Sequence, residues 1–401
     1  MFNLDRFIGE YVTKREKSMF LEDIKNNEQE LIDRIEGQRF LVIGGAGSIG
    51  SSFIRAILPF KPASLVVVDT NENALAELTR RLRSSGVYMP PEYIPYPMDY
   101  SSKVFKKMFI SHKGFDVVAN FSAHKHVRSE KDIYSIEALI TNNLLHAGKL
   151  LELLEKYQPK HYFCVSTDKA ANPVNIMGAS KRIMEDLIFS YSDEFMVSTA
   201  RFANVAFSNG SLPDGFMHRM QYLQPLSAPL DVKRYFVSPE ESGQICMMAG
   251  LLGLNREIYF PKLEESHMMS FDSIAESLLE ANGYSVLKCK SDEEAIAAAA
   301  ALKAGSKEYP VHFFTSDTSG EKPFEEFYTD DEKIDMDAYK ALGIIKSKPA
   351  PNREKVRDIC RGLEELFDKP EMKKEEVVEL IGDYLPNFKH IETGKSLDAK
   401  M

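Results

Sequence analysis

The sequence predicts an α/β protein, and two observations carry that prediction. Residues 39–43, RFLVI, form a short β-branched and aromatic run, followed by a glycine-rich turn and the amphipathic run SSFIRAIL. From there to residue 166, the apolar segments SLVVVD, EYIPYP, FDVVANF and HYFCVS alternate with segments of helical periodicity. Alternation at this spacing implies right-handed βαβ units in a parallel sheet with helices on both faces. We therefore expect a Rossmann-type doubly wound parallel sheet, followed by a smaller C-terminal α/β substrate-binding part.

The patterns divide the chain into four parts. These are an N-terminal helical arm at 1–37, a dinucleotide-binding domain at 38–205, a substrate-binding part at 206–330, and C-terminal helices with a tail at 331–401. A Rossmann sheet does not need the arm, so we expect it to cover a sheet edge or a neighbouring subunit. An inserted segment near 285–315 contains EEAIAAAAALKAG, which predicts a helix because alanine has the highest helix propensity. No function is assigned to the arm, the insertion or the C-terminal part.

Composition excludes several classes of protein. The net charge of −10 argues against a nucleic-acid surface, and no apolar run approaches the roughly 18 residues of a membrane span. The N-terminal residues lack the apolar core of a signal peptide, so we expect a cytoplasmic protein. The 4 cysteines are far apart, without a C-x-x-C pair, which favours buried thiols over a disulfide or a metal site. We therefore predict no metal.

The glycine-rich turn after the first strand indicates a dinucleotide site. Gly44, Gly47 and Gly50 have the spacing G-x-x-G-x-x-G, and Ser48 and Ile49 lie between the last two. A strand, a glycine turn and a helix aim backbone N–H groups and the positive end of the helix dipole at a pyrophosphate. We expect Gly44 to permit the tight turn, Gly47 the approach of a phosphate, and Gly50 the close packing of helix on strand.

Asp69 closes the second strand, where a carboxylate can accept hydrogen bonds from the adenosine ribose. An acid here repels a 2′-phosphate, so NAD is favoured over NADP, although Arg80, Arg81 and Arg83 could weaken that preference. The alternative is that Asp69 caps the next helix, a task that Thr70 or Asn71 could perform equally well.

Further polar residues follow the third and fourth strands at the same edge of the sheet. We expect Asp99, Asn120, Ser122 and Ala123 to border the cofactor, and Lys125 to point toward the substrate cleft. From spacing alone, a turn residue at Asp99 and a solvated loop around Lys125 are the competing interpretations. His124 and His126 have no acidic or cysteine partner at metal-ligand spacing. In the following helix, Asn142 and Asn143 form a polar pair among apolar neighbours, and one of them is expected to bond a strand carbonyl or bulge.

The stretch HYFCVSTDKAANPVNIMGASKR carries the titratable groups suited to catalysis. Thr167, Asp168 and Lys169 end the fifth strand, and Lys181 lies on the helix that follows. Two adjacent titratable groups at a strand end suit an acid–base pair. From the residues alone, a turn with a helix-capping aspartate is the competing interpretation.

These motifs together resemble the extended short-chain dehydrogenase/reductases. Within them, STDKAANPVNIMGASKR, AHKHV, RFANVAFSNGSLP and SGEKPFEEF are similar to motifs of the nucleotide-sugar 4,6-dehydratases, most closely the UDP-N-acetylglucosamine 4,6-dehydratases. The resemblance covers roughly residues 37–330 and lapses from about Asp331. It implies a UDP-sugar substrate, a homo-oligomer, and a tightly bound NAD that is regenerated in each turnover.

One position departs from the common pattern. Most short-chain dehydrogenases carry Tyr-x-x-x-Lys, whereas this chain has Met177 four residues before Lys181. A thioether cannot exchange a proton. One group of 4,6-dehydratases carries methionine here and is active, with retention at carbon 5, whereas the tyrosine group inverts. The chain resembles the methionine group.

The resemblance also implies roles for residues. NAD accepts hydride from sugar carbon 4, Lys169 removes the proton from carbon 5, and Asp168 protonates the leaving hydroxyl at carbon 6. Thr167 bonds the carbon 4 oxygen, and Lys181 holds the nicotinamide ribose. The group that accepts the proton of the carbon 4 hydroxyl is left open between Thr167, Asp168 and a water. The substrate residues implied are Lys125, Met177, Asn204, Ser211, Arg234, Lys262 and Glu321.

Without the resemblance, Ser211 is explained equally well as part of a polar turn, and Arg234 as a surface arginine. Three alternatives to a retaining dehydratase stand beside it: an inverting dehydratase, a nucleotide-sugar 4-epimerase, and a catalytically silent NAD-binding scaffold that Met177 would suggest.

Overall fold

The structure is a computed structural model that describes residues 2–126, 130–303, 305–316, 325–346 and 349–391. Over these residues the strands are β1 Arg39–Ile43, β2 Ser64–Asp69, β3 Glu92–Pro97, β4 Val117–Asn120, β5 His161–Val165, β6 Met196–Ala200, β7 Asn204–Val205, β8 Leu226–Pro229, β9 Lys233–Val237, β10 Glu257–Pro261, β11 Met268–Ser270, β12 Ser285–Cys289, β13 Glu308–Phe314, β14 Ile334–Asp335 and β15 Leu342–Ile345. The α-helices are α1 Leu4–Phe7, α2 Leu21–Asn26, α3 Glu28–Ile35, α4 Ser48–Ile57, α5 Glu72–Ser84, α6 Lys103–Ser111, α7 Ile133–Ile140, α8 His146–Lys156, α9 Ile176–Phe189, α10 Leu212–Gln221, α11 Pro239–Leu251, α12 Phe271–Ala281, α13 Asp292–Ala300, α14 Arg353–Phe367 and α15 Lys374–Tyr384.

A nine-stranded sheet forms the centre of the molecule, in the order β14-β15-β10-β6-β5-β4-β1-β2-β3. β1 pairs in parallel with β2 on one side and β4 on the other, so that Val42 lies opposite both Val67 and Ala119. Within this sheet, all the strands except β14 and β15 run parallel to one another, namely β3, β2, β1, β4, β5, β6 and β10. β15 pairs antiparallel with β10. Helices cover both faces over separate apolar cores. The predicted doubly wound Rossmann-type sheet is therefore confirmed.

The two edges of this sheet offer little backbone for further pairing. The edge strand β3 carries Pro95 and Pro97, and proline has no N–H to donate to a neighbouring strand. At the other edge, β14 is only two residues long.

The C-terminal α/β part contains two small sheets, in the orders β11-β9-β7 and β12-β13-β8. The inserted segment supplies β12, α13 and β13, and its two strands are parallel. The helix expected from the alanine run begins at Asp292 and ends at Ala300, and the hydroxyl of Ser291 caps it. The insertion is thus a βαβ unit that contains the expected helix and adds two strands to β8.

The first residues of the N-terminal arm pack against this second part in a third apolar core, whereas Phe20, Leu31 and Ile35 belong to a core of the central sheet. α1 continues into a π-helical turn at Ile8–Val12, and the buried side chain of Phe7 contacts Phe207 with a centroid separation of 5.9 Å. The guanidinium of Arg15 binds the carboxylate of Glu241 at the start of α11, at 2.7 Å. The arm therefore joins the second part of the molecule to the helix that packs on α4.

The C-terminal helices α14 and α15 cover helices α8 and α9 on one face of the sheet. Val356, Ile359 and Leu363 of α14 are buried there, and Lys149 of α8 pairs with Glu364 at 3.3 Å. Within the described ranges, none of the helices combines the length and apolar character needed to cross a bilayer.

Candidate active site

The glycine turn between β1 and α4 forms a cradle that only glycine fits. Gly44 has φ 70°, and a Cβ atom there would lie 2.7 Å from the backbone nitrogen of Ser122. A Cβ atom on Gly50 would lie 2.3 Å from the carbonyl oxygen of Gly44. Helix α4 begins at Ser48 after Gly47, and no described side chain caps its N-terminus. Its first N–H groups are thus available to an anion, which fits the pyrophosphate of a dinucleotide. Ile49 is partly buried in the first turn.

Asp69 lies beside this cradle. One carboxylate oxygen accepts a hydrogen bond from the backbone N–H of Ala46 at 3.0 Å, and the other from Asn71 at 2.9 Å. The cap of α5 is Asn71, whose side chain accepts from the N–H of Ala74. Asp69 therefore does not cap the helix, and its carboxylate borders the glycine turn.

Residues after β3 and β4 complete this edge. The carboxylate of Asp99 accepts from the N–H of Ser101 at 2.7 Å, and the buried Asn120 accepts from the N–H of Ser122 at 2.9 Å. Ala123 is partly buried beside them.

Asn143 fixes the path of this segment. Its side-chain oxygen accepts from the N–H of His124 at 2.8 Å, and its side-chain nitrogen donates to the His124 carbonyl at 2.9 Å. Asn143 lies in a π-helical turn at Thr141–Leu145. The asparagine pair does bond a main-chain carbonyl, but His124 lies in the loop after β4, so the expected strand carbonyl or bulge is replaced by a loop carbonyl.

Thr167, Asp168 and Lys169 form a connected group directly after β5. The Thr167 hydroxyl donates to Asp168 Oδ1 at 2.7 Å, and Lys169 Nζ lies 3.3 and 3.4 Å from the two carboxylate oxygens. The Asp168 side chain is 9% exposed and that of Lys169 is 28% exposed.

Helix α9 packs directly on this group. A Cβ atom on Gly178 would lie 2.6 Å from the carbonyl oxygen of Lys169. The buried Lys181 donates from Nζ to the carbonyl of Val165 at 3.0 Å, and burial lowers its pKa. Met177 lies one helical turn earlier, on the same side of the helix. Its side chain is buried, and its backbone N–H donates to a carboxylate oxygen of Glu130 at 2.8 Å.

The residues predicted to bind substrate differ in their surroundings. Asn204 donates to Glu325 at 2.6 Å, and Arg234 Nε lies 3.9 Å from the same carboxylate oxygen. Ser211 caps α10 by accepting from the N–H of Asp214 at 3.3 Å.

Lys125 is exposed, and Lys262 Nζ donates to the main-chain carbonyls of Met336 and Tyr339, between β14 and β15. Glu321 lies outside the described residues. The structure therefore brings Asn204 and Arg234 together, whereas it engages Lys262 with the backbone of another segment.

Glu325 is the residue of this site that the sequence reasoning missed. Burial, followed by the negative charge of Asp168, raises its pKa to about 7, while Arg234 and Lys169 act in the opposite direction. The signal was present, because Glu325 lies in the segment EKPFEEF, in which only the first glutamate was selected.

The fold and the glycine cradle define an extended short-chain dehydrogenase/reductase. The chain belongs to the family described as polysaccharide biosynthesis protein, whose family model matches residues 40–346. The match runs past Asp331, where the sequence resemblance was expected to lapse.

Among curated relatives, the chain is similar to the capsular polysaccharide biosynthesis protein CapD of Staphylococcus aureus, at 25% identity over 81% of this chain and 54% of that protein. It is also similar to the UDP-N-acetylglucosamine 4,6-dehydratase (inverting) of Campylobacter jejuni, at 22% identity over 73% of this chain and 82% of that protein. The chain spans about half the length of the first curated relatives it matches, 54% and 42%.

Solved structures share the fold. Pen from Bacillus thuringiensis aligns with a TM-score of 0.63 and 20% identity, covering 82% of this chain and 98% of Pen. DesIV from Streptomyces venezuelae, a dTDP-glucose 4,6-dehydratase with NAD bound, aligns with a TM-score of 0.53 and 19% identity, covering 72% of this chain and 88% of that one.

Proposed function

We propose that the protein is an NAD-dependent UDP-N-acetylglucosamine 4,6-dehydratase that retains the configuration at carbon 5. The observation that carries the proposal is the Asp168–Lys169 ion pair directly after β5, in which Asp168 is buried. Lys181 donates to the carbonyl of Val165 at the end of β5, and Met177 stands in the position of the usual tyrosine. The product would be a UDP-2-acetamido-2,6-dideoxy-4-hexulose for surface-glycan synthesis.

The cofactor site is supported by the glycine cradle and its acidic neighbour. The turn from Gly44 to Gly50 would hold the pyrophosphate, Asp69 the adenosine ribose, and Lys181 the nicotinamide ribose. When bound, NAD supplies a reversible hydride acceptor for sugar carbon 4. Because Asp69 is an anion at the ribose edge, NAD is the proposed cofactor in preference to NADP.

The Asp168–Lys169 pair already contains the one proton that dehydration requires. Transfer of this proton from Lys169 Nζ to Asp168 converts an ammonium and a carboxylate into an amine and a carboxylic acid. The amine can then remove the carbon 5 proton, and the acid can protonate the carbon 6 hydroxyl as it leaves. No net charge is gained or lost in the pair, which suits a site with little access to water.

Thr167 lies within 2.7 Å of Asp168 and can orient the carbon 4 oxygen. The acceptor of the proton on that oxygen is proposed to be Thr167, Asp168 or a water, because Met177 has no proton to exchange.

The stereochemical outcome separates the main proposal from its first alternative. Similarity to the inverting dehydratase of Campylobacter jejuni favours inversion, whereas Met177 favours retention. A 4-epimerase would leave the carbon 6 hydroxyl in place and would not need an acid at Asp168.

The test is to incubate the purified protein with UDP-N-acetylglucosamine, without added cofactor, and to follow the product by mass spectrometry and proton NMR. Loss of one water, with a 4-keto-6-deoxy sugar of unchanged carbon 5 configuration, is the expected result. An inverted carbon 5 would replace the proposal with the inverting dehydratase, and an isomer of unchanged mass with the epimerase. No conversion of any nucleotide sugar, even with added NAD, would favour a silent NAD-binding scaffold.

A further inference from the structure

The carboxyl group of Glu325 joins the two strands that carry the candidate substrate residues. One oxygen accepts a hydrogen bond from Asn204 Nδ2 at 2.6 Å and lies 3.9 Å from Arg234 Nε. The other accepts from the backbone N–H of Tyr235 at 3.3 Å. Glu325 is 7% exposed, so these contacts hold it in a largely dry environment. The three partners come from β7 and β9, which are adjacent in one sheet.

The charges around Glu325 include the acid–base pair of the site. The pKa of Glu325 is raised first by burial and then by the charge of Asp168, and the opposing influence of Lys169 ranks last among its causes. The backbone N–H of Asp168 donates to the carbonyl of Phe202, two residues before Asn204, at 3.4 Å, so this turn lies next to the start of β7.

The titratable and charged groups that act on Glu325 come from two elements. They are Asp168 and Lys169 in the turn after β5, and Arg234 and Tyr235 on β9. Burial and the charge of Glu325 raise the pKa of Tyr235, so this phenol stays neutral near pH 7.

We propose that Glu325 is a positioning residue for the dehydration: its carboxylate holds Asn204 on β7 and Arg234 on β9 beside the Thr167–Lys169 turn, and ionisation of Glu325 strengthens its hold on the Arg234 guanidinium. The inference rests on the proposed function, because Asn204 and Arg234 are substrate residues only within it.

The main test is the pH profile of turnover for Glu325→Gln. This substitution keeps the shape of the side chain and one oxygen acceptor for Asn204 but removes the charge. In the wild type, kcat should rise with pH through the region near 7 as Glu325 ionises. In the variant, this rise should be absent, and kcat above pH 7 should fall about tenfold or more. A purely structural role would lower the stability of the variant but would leave the rise of kcat near pH 7 in its pH profile.

Glu326→Gln is the matched control. Glu326 is the next residue, and its carboxylate accepts from Asn172 Nδ2 at 3.1 Å. It should keep the wild-type profile. A folded Glu325→Gln protein with the wild-type rise of kcat near pH 7 and the wild-type KM would overturn the inference. The dehydratase proposal would remain intact.

Two further measurements cover the remaining outcomes. If Glu325→Gln does not fold, Glu325→Asp is measured instead, because it keeps the charge on a shorter side chain. It should retain the rise of kcat near pH 7, with a lower maximal kcat. A folded Glu325→Asp protein without this rise would overturn the inference.

If the wild type turns over no sugar, the affinity for UDP at pH 6 and pH 8 replaces kcat as the readout. The inference then requires Glu325→Gln to change the ratio of the two affinities, because Arg234 loses its anionic partner. An unchanged ratio would count against it.

Discussion

The carboxylate of Asp168 accepts from both of its chain neighbours, the hydroxyl of Thr167 and the amino group of Lys169. Because these partners are consecutive residues, the geometry is set by one backbone turn at Asp168–Ala170. Helix α9 packs against this turn so closely that no side chain fits at Gly178, next to the carbonyl oxygen of Lys169. A small change of charge at Asp168 should therefore affect the chemistry without moving the backbone.

Asp168→Asn should lower kcat by about 10² to 10⁴, the usual contribution of a general acid. The amide has the shape of the carboxyl group but cannot deliver a proton to a leaving hydroxyl. The rate of 4-keto product formation measures this loss, and the absorbance of released nucleotide should show unchanged cofactor content. Asp193→Asn, at an exposed position between α9 and β6, should keep the wild-type rate. An unaltered kcat in Asp168→Asn would remove Asp168 from the mechanism.

His161 determines part of the response of stability to acid. Its Nε2 lies 2.7 Å from the hydroxyl of Ser198, which itself donates to the carbonyl of Ala249 at 2.6 Å, so Nε2 must donate. Burial, with the charge of Arg34, lowers the pKa of His161 to about 3. Because folding lowers the pKa of His161, the contribution of this neutral side chain to the free energy of unfolding is fully present above the ordinary value of 6.5. It is lost as pH falls toward 3.

We expect the wild type to lose about 2 kcal/mol more of its free energy of unfolding between pH 8 and pH 5 than His161→Gln does. Glutamine can donate to Ser198 but does not titrate, and the other titrating groups are common to both proteins. Urea unfolding at the two pH values measures the difference. Parallel losses in the two proteins would show that His161 is not held neutral.

At the scale of elements, local patterns predicted β1, α4 and α13, because periodicity, glycine spacing and alanine content act over neighbouring residues. The strands β12 and β13 were not predicted, since their pairing depends on β8, far earlier in the chain. The π-helical turn that carries Asn143 depends on contacts with the segment at His124, and only the unusual asparagine pair indicated it. Glu325 reaches Asn204 across 121 positions of sequence, which no local pattern encodes.

The arm at the N-terminus is expected to stabilise the second part of the molecule. Phe7 is 3% exposed and contacts Phe207, a residue with φ 53° in the loop that leads to α10. Phe7→Ala should lower the free energy of unfolding by about 3 to 5 kcal/mol, as for other buried phenylalanines. Urea denaturation measures this change. The control Tyr134→Ala, at a 72% exposed position, should change it by less than about 0.5 kcal/mol. A similar effect of both substitutions would contradict the packing of the arm.

Across the whole molecule, one buried ion network joins distant segments behind the site. The guanidinium of Arg201, after β6, binds Glu185 of α9 at 2.7 and 2.9 Å, and Glu332 at 2.7 and 3.0 Å. Glu185 also accepts from the hydroxyl of Ser166, the residue before Thr167, at 2.6 Å. The network therefore links the end of β5, helix α9 and the segment that begins at Glu325.

Arg201→Leu should destabilise the protein by about 3 to 5 kcal/mol, because two buried carboxylates lose their shared cation. Thermal and urea unfolding measure the loss. The control Arg81→Leu removes an exposed pair with Glu77 and should cost at most about 1 kcal/mol. Combining Arg201→Leu with Glu185→Gln and Glu332→Gln should recover part of the loss, and an absence of recovery would exclude charge burial as its cause.

The edges of the central sheet have a consequence for the protein at high concentration. An exposed strand with free N–H groups can recruit a strand from another molecule and start aggregation. In β3, two prolines remove such donors, and β14 is too short to template a partner, with Asp335 held by Lys346 at 3.0 Å. Crowded or freshly synthesised chains are therefore protected against edge-to-edge association once both edges have formed. The last edge forms only when residues 334–345 have been made, so the unfinished chain exposes β10 during synthesis.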